Sequence, residues 1–167
     1  GQVYWRSISG APVFDAQGQF QGYRGVGRDI TARKLTEEKI EKLAFYDVLT
    51  GLPNRRLLVD RLQHALVSVD REGGGALLFL DLDNFKDLND THGHDVGDLL
   101  LQQVARRLQE CVRGADTVAR FGGDEFVVML QGLAPTAAES ARQAEQIARK
   151  VIASLNQPYM LGAVEHH

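Results

Sequence analysis

Apolar residues alternate, run together or recur at helical spacing in successive stretches of the chain, and the order of those patterns predicts a mixed α/β polypeptide. Val3 to Ser9 and Gln19 to Arg28 read as strands joined through Asp15-Ala16-Gln17-Gly18, a hairpin too small to fold alone. Thr31 is placed to cap the helix that follows. From Ala32 to about Tyr46 the chain is strongly charged, with Leu35, Ile40, Leu43 and Ala44 as a thin apolar stripe, the pattern of an exposed or self-pairing connector helix. Thr50-Gly51-Leu52-Pro53-Asn54 breaks it, and Asn54 is positioned to cap a helix carrying Leu58, Leu62, Ala65, Leu66 and Val69. After the loop Glu72-Gly73-Gly74-Gly75, the run Ala76-Leu77-Leu78-Phe79-Leu80 suits a strand buried on both faces.

Beyond Thr91-His92-Gly93-His94, a helix is predicted from about Val96 to Val112, with Val96, Leu99, Leu100, Val104, Leu108 and Val112 on one face. Val118-Ala119-Arg120 and Val127-Val128-Met129-Leu130 are strand-like and flank Gly122-Gly123, which reads as a tight two-residue turn. A last helix, from about Thr136 to Leu155, turns Ala144, Ile147, Ala148, Val151 and Ile152 inward. The order strand, helix, strand, strand, helix begins a ferredoxin-like α/β sandwich around a central antiparallel sheet. The strand that closes this topology is missing from the pattern, so the 76–80 strand is expected to keep an unpaired edge.

With 167 residues, 44% of them hydrophobic, the chain can bury one good core and a small appendage. The net charge of -3 provides no global basic field for nucleic acid, so a phosphate-bearing ligand must be held locally by a metal or a few cations. The single Cys111 excludes an internal disulfide and fits a reducing, cytoplasmic setting. No apolar stretch approaches the roughly 20 residues of a membrane span. The chain reads as a piece of a longer protein, and Glu165-His166-His167, a tag remnant or native tail, is left out of the functional reading.

The chemistry lies at strand ends. The 76–80 strand runs into Asp81-Leu82-Asp83, and the hairpin carries Asp124-Glu125 at its tip. If the two lie side by side, Asp81, Asp83, Asp124 and Glu125 converge on one rim. Oxygen ligands of this kind suit Mg²⁺ or Mn²⁺ bound together with phosphates, and a divalent ion relieves the repulsion among the carboxylates. Lys86 follows as a phosphate cation, while Asn89 and Asp98 are suited to the edge of a guanine, whose two adjacent N–H donors an Asp accepts.

Three separated motifs, Asp47-Val48-Leu49-Thr50-Gly51-Leu52-Pro53-Asn54-Arg55, the block from Asp81 through Phe85-Lys86, Asn89-Asp90 and Gly93-His94 to Gly97-Asp98, and Gly122-Gly123-Asp124-Glu125-Phe126, occur in order. The chain resembles the GGDEF family of diguanylate cyclases. That resemblance implies a palm-type nucleotidyl cyclase sandwich that joins two GTP molecules into cyclic di-GMP and pyrophosphate, one GTP per domain, so that two domains must meet face to face. It implies metal ligation by Asp81, Asp124 and the Leu82 carbonyl, with Glu125 assisting metal binding or proton removal. Phosphate binding falls to Lys86 beside Phe85, Gly122 and Gly123, and guanine recognition to Asn89 and Asp98. It also implies a product-inhibition site at Arg113 and Asp116. Residues 1–31 resemble the tail of a PAS domain, 32–46 its signalling helix, and 47–163 a GGDEF domain lacking its last strand and helix. Asn156-Gln157-Pro158-Tyr159 resembles versions that precede a phosphodiesterase (EAL) domain. The competing reading is a catalytically inactive module that binds GTP or cyclic di-GMP.

Simpler readings compete at single motifs. Asp81-Leu82-Asp83 lacks the glycine and oxygen ligands of a calcium loop, since Phe85 and Lys86 stand there. Gly22 to Asp29 has P-loop spacing but Arg-Asp in place of Lys-Ser/Thr. His92 and His94 lack partners for zinc. Arg113 and Asp116 are open to a second reading, an ordinary surface ion pair closing a helix.

Overall fold

The computed structural model describes residues 3–162 and 164–166, and the side chains of residues 68–72 and 164, Val69 among them, lie outside that description. The chain divides into two compact units, Gly1–Ala44 and Phe45–His167.

In the first unit, β1 (Arg6–Phe14) and β2 (Phe20–Asp29) pair antiparallel from Arg6↔Asp29 to Phe14↔Phe20. The first strand starts and ends later than its sequence suggests, because Pro12 is tolerated opposite Tyr23 in a ribbon where both strands have a free edge. Asp15 organises the turn, its Oδ1 accepting the amides of Gln17 at 3.0 Å and Gln19 at 2.8 Å. Helix α1 (Thr31–Phe45) follows. Thr31 is its first residue rather than its cap: Asp29 Oδ1 accepts the Thr31 amide, and the Thr31 hydroxyl accepts the amide of Trp5, both at 2.8 Å. Leu35, Ile40 and Leu43 are all exposed.

The second unit contains α2 (Arg55–Glu72), β3 (Gly74–Leu80), α3 (Phe85–His92), α4 (His94–Cys111), β4 (Thr117–Gly122), β5 (Glu125–Leu133), α5 (Ala137–Leu155), β6 (Tyr159–Leu161) and β7 (Val164–His166). Strands β3, β5 and β4 form an antiparallel sheet in that order. Alternation along β4 and β5 sends Val118, Val128 and Leu130 to one face, where they join Leu100, Leu101, Val104, Leu108 and Val151. Ala119, Val127 and Met129 go to the other face, against Leu58 of α2. Asn54 Oδ1 accepts the Leu57 amide at 3.1 Å and starts α2 as its sequence predicts.

Several expectations change. Strand β3 is not buried on both faces. Ala76, Leu78 and Leu80 pack on the core, but Phe79 is 71% exposed, because α2 on that face packs against β4 and β5. Leu66, Leu99 and Ile152 are exposed rather than inward. The true inward line of α4 runs through Leu100, Leu101, Val104, Ala105, Leu108 and Cys111. Helix α3 is absent from the sequence reading because its eight residues bury only Leu88 and offer no periodicity to detect. The tail folds too: β6 pairs β7 from Tyr159↔His166 to Leu161↔Val164, so Glu165 and His166, set aside as a tail, belong to a strand, His167 lying outside the described residues, and Tyr159 and Leu161 enter the core. Arg107 secures this return, bonding the carbonyls of Ser154, Gln157 and Pro158 and lying 3.7 Å over the Tyr159 ring.

The packing sets a contrast that chemical denaturation can measure. Phe126→Ala, at a site with 0% exposure, is expected to cost about 3–5 kcal/mol. Phe79→Ala, on the open face, should cost no more than about 0.5 kcal/mol.

Candidate functional site

The hairpin tip is built differently from the predicted Gly-Gly turn. Gly122 still pairs, opposite Glu125, and the two turn residues are Gly123 and Asp124. An irregularity in the ladder between Arg120 and Gly122 shifts the turn by one residue. Only Gly123 takes a positive φ, +51°, as the first position of a type II′ hairpin turn requires. Asp124 therefore sits half-buried in the turn itself, and Glu125 opens β5 exposed.

Arg120, which the sequence reading passes over, holds this tip in place. Its Nε and one terminal nitrogen donate to the Gly123 carbonyl at 2.9 and 2.6 Å. Its other terminal nitrogen donates to both carboxylate oxygens of Asp47, at 3.1 and 3.2 Å. Asp47 also accepts the amide of Thr50 at 2.8 Å and its hydroxyl at 2.6 Å. The backbone joins in, with the Arg120 amide donating to the Pro53 carbonyl at 3.0 Å. The segment before α2 and the glycine hairpin are thus one hydrogen-bonded body. The only advance signal was an arginine placed in a strand otherwise bound for the core.

Leu80 pairs with Phe126, so β3 ends beside the start of β5 and Asp81 emerges at the same sheet end as Asp124 and Glu125. The predicted four-carboxylate cluster does not form: among the described residues no group of three or more His, Cys, Asp or Glu side chains is gathered as a metal cage. A smaller set, two carboxylates and a carbonyl, suits a hard cation that keeps most of its ligands from water and phosphate. The Leu82 carbonyl accepts the Phe85 amide at 3.3 Å, leaving a lone pair for such an ion.

Helices α3 and α4 meet closely at Gly97. Asn89 is half-buried, and its Oδ1 is buried without a hydrogen-bond partner. Opposite stands Gly97, where an added Cβ would overlap Asn89 Oδ1 and lie 3.2 Å from the Phe85 ring. Phe85 and Asn89, one turn apart on α3, therefore close on Gly97, with the exposed Asp98 next along α4 and the exposed Lys86 on the first turn of α3. An unsatisfied buried acceptor costs free energy unless a ligand supplies the donor.

At the far end of β4, roughly 20 Å away for six strand residues, the reading of Arg113 and Asp116 as an ion pair is set aside. Asp116 Oδ2 accepts the backbone amide of Arg113 at 3.0 Å, and its Oδ1 accepts the Gln131 amide at 3.2 Å. The exposed Arg113 guanidinium has no carboxylate within ion-pair distance among the described residues. A cavity of about 330 Å³ lies beside both residues, with Arg61 in its wall donating to the buried Thr117 hydroxyl at 3.0 Å.

A family description reading "Diguanylate cyclase, GGDEF domain" matches residues 44–167. The chain belongs to the GGDEF family. It is similar to the bifunctional diguanylate cyclase/cyclic di-GMP phosphodiesterase MucR of Pseudomonas aeruginosa, 42% identical over 136 residues, 81% of this chain and 19% of MucR. The diguanylate cyclase DgcP of the same organism is 46% identical over 112 residues, 66% of this chain and 16% of DgcP. The chain thus spans about a fifth of the length of the curated relatives it matches. Among solved structures, the GGDEF domain of YfiN (TpbB) from P. aeruginosa is 43% identical with a TM-score of 0.63, covering 70% of this chain and 66% of that one. A sensory box/GGDEF protein from Caulobacter crescentus is 41% identical with a TM-score of 0.64, covering 72% and 75%. The mixed sandwich around the β3-β5-β4 sheet is the nucleotidyl cyclase palm of this GGDEF family.

The Asp47–Arg120 clamp makes the stability of this GGDEF domain depend on pH. Burial pushes the Asp47 carboxyl up, but the hydrogen bonds from Thr50 and Arg120 outweigh it and hold the group below its ordinary value of 3.8. A depressed folded value means that the clamp stabilises at pH above about 4 and is lost as pH falls through the folded value. Urea midpoints measured from pH 6 down to pH 3 should fall less steeply in Asp47→Asn than in the wild type. At pH 7, Arg120→Ala should cost about 2 kcal/mol, since the lost hydrogen bonds involve a charged group.

Proposed function

We propose that the chain carries a diguanylate cyclase domain, condensing two GTP into cyclic di-GMP and pyrophosphate. The observation that carries this reading is the orphaned Asn89 Oδ1 beside Gly97, a buried acceptor awaiting an N–H donor, with Asp98 adjacent as a second acceptor. Guanine presents an amine and a ring N–H side by side, and those two acceptors match them. Lys86 neutralises phosphate charge. Asp81, Asp124 and the Leu82 carbonyl would hold Mg²⁺ or Mn²⁺, which when bound supplies Lewis-acid polarisation of the α-phosphate. Gly122 and Gly123, without side chains, let the phosphates lie against the hairpin backbone. In the reaction, a ribose 3′-oxygen forms a bond to the α-phosphorus of the other nucleotide as the α–β bridging oxygen leaves with pyrophosphate. Glu125 would receive the hydroxyl proton.

One domain holds one GTP, so the reading requires a homodimer with the two hairpin tips opposed. Arg113 and Asp116 are assigned to product inhibition by cyclic di-GMP, supported by a guanidinium that remains free for phosphate. Residues 1–31, read as the end of a PAS sensor, would act through α1. No helix among the described residues is long and apolar enough to cross a membrane, and a GTP-consuming site with one buried thiol suits the cytoplasm. A second reading, a GTP- or cyclic di-GMP-binding module of a tandem protein without cyclase activity, draws support from the name of one relative. The cyclic di-GMP phosphodiesterase PdeR of Escherichia coli is 39% identical over 83% of this chain.

Incubation with GTP and Mn²⁺ followed by mass spectrometry tests the first reading. Cyclic di-GMP should form with the wild type and disappear in Asp124→Asn, and GTP binding without any product favours the second. Gly97→Ala, which drives a methyl into Asn89 Oδ1, should weaken GTP at least ~10-fold in calorimetry while leaving pyrophosphate unaffected. Arg113→Ala should abolish cyclic di-GMP binding without removing GTP binding.

A further inference from the structure

On the α2 face of the sheet, away from the α4 face on which Phe85 packs, an open cavity of about 690 Å³ adjoins the hairpin tip. Arg55, Arg56, Arg120, Phe121, Gly122 and Gly123 contribute to its wall. Its one carboxylate, Asp47, is engaged by Arg120. Arg55 lies over the Phe121 ring at 4.7 Å and Arg56 over the Phe45 ring at 4.9 Å. A guanidinium stacked by its face is held in position yet keeps its in-plane N–H donors free for a ligand. Among the described residues neither arginine has a carboxylate within 4.0 Å.

Both arginines also occupy the first turn of α2, which has no acidic residue, where the helix dipole disfavours cations. Three guanidinium groups with a single counter-charge around an open cavity form an arrangement that an anion would stabilise. Phosphates are among the anions that Arg forks grip bidentately, and linked phosphates offer oxygens to more than one fork at once.

We propose that this cavity, which shares Gly122 and Gly123 with the phosphate path proposed above but not Asn89 or Asp98, is a polyphosphate subsite that takes two or more linked phosphates. Two sources carry that chemistry: free pyrophosphate, the leaving group of the reaction proposed above, and the triphosphate of a second nucleotide. The naming of these sources rests on the cyclase reading; the site itself rests on the arginines.

Calorimetric titration of the whole chain with pyrophosphate, at low ionic strength and without metal, tests it. Saturable binding is expected, weakened at least ~10-fold in Arg55→Gln/Arg56→Gln, weakened by added salt, and unchanged in Asn89→Ala. Absence of saturable binding, or equal binding by the double variant, overturns the proposal. The single variants Arg55→Gln and Arg56→Gln, each expected to weaken pyrophosphate, keep the test intact should the double variant unfold. GTP titrations separate the sources: a second, arginine-dependent GTP site that survives Asn89→Ala identifies the nucleotide, and its absence leaves pyrophosphate as the occupant. If the cyclase reading fails, GTP loses its dependence on Asn89, whereas the pyrophosphate titrations keep their outcome.

Discussion

The Arg120 guanidinium ties together the parts of this domain that chemistry would need. Five donors in one rigid plane let it grip the Gly123 carbonyl at the hairpin turn and the Asp47 carboxylate before α2 at once. A two-residue turn projecting from the end of a sheet would otherwise be free to flex, and Asp124 sits within it. The clamp also explains why the segment 47–54 is rich in turn-forming and capping residues. Thr50 satisfies Asp47, Asn54 starts α2, and Pro53 lends its carbonyl to the Arg120 amide. Rigidity at the tip is paid for in this small network.

Two kinds of glycine serve the site for different reasons. Gly123 is needed for its backbone conformation: its φ is positive, and nothing lies within 4 Å of where a Cβ would stand. Gly97 is needed for space, because a Cβ there would overlap Asn89 Oδ1. The first shapes the hairpin that presents Asp124; the second lets Asn89, with its unsatisfied oxygen, pack against α4. Polar groups left in that condition mark places where the fold accepts a cost that a ligand offsets.

Strand β4 connects the two regions assigned to substrate and to product. Asp116 immediately precedes it and bonds to Gln131 on β5, while Arg120 and Gly122 lie at its other end. Buried residues of β4, from Thr117 to Ala119, are held on both sides, by α2 through Arg61 and Leu58 and by the core through Val118.

Element order, the Asn54 cap, the paired strands of the hairpin and the family motifs were legible in the sequence, because turn chemistry and periodicity are local properties and the motifs are contiguous. Helix α3 was not, since a short helix that buries one leucine leaves no periodic trace. Only the tertiary structure decided that the turn falls on Gly123-Asp124, that Phe79 and Leu66 stay exposed, that the four acids do not form one cage, and that Arg120 and Asp47 belong together. Each of these depends on strand register or on contacts between residues far apart in the chain, such as the 73 positions separating Asp47 from Arg120. A linear pattern of residue types carries no direct record of such contacts.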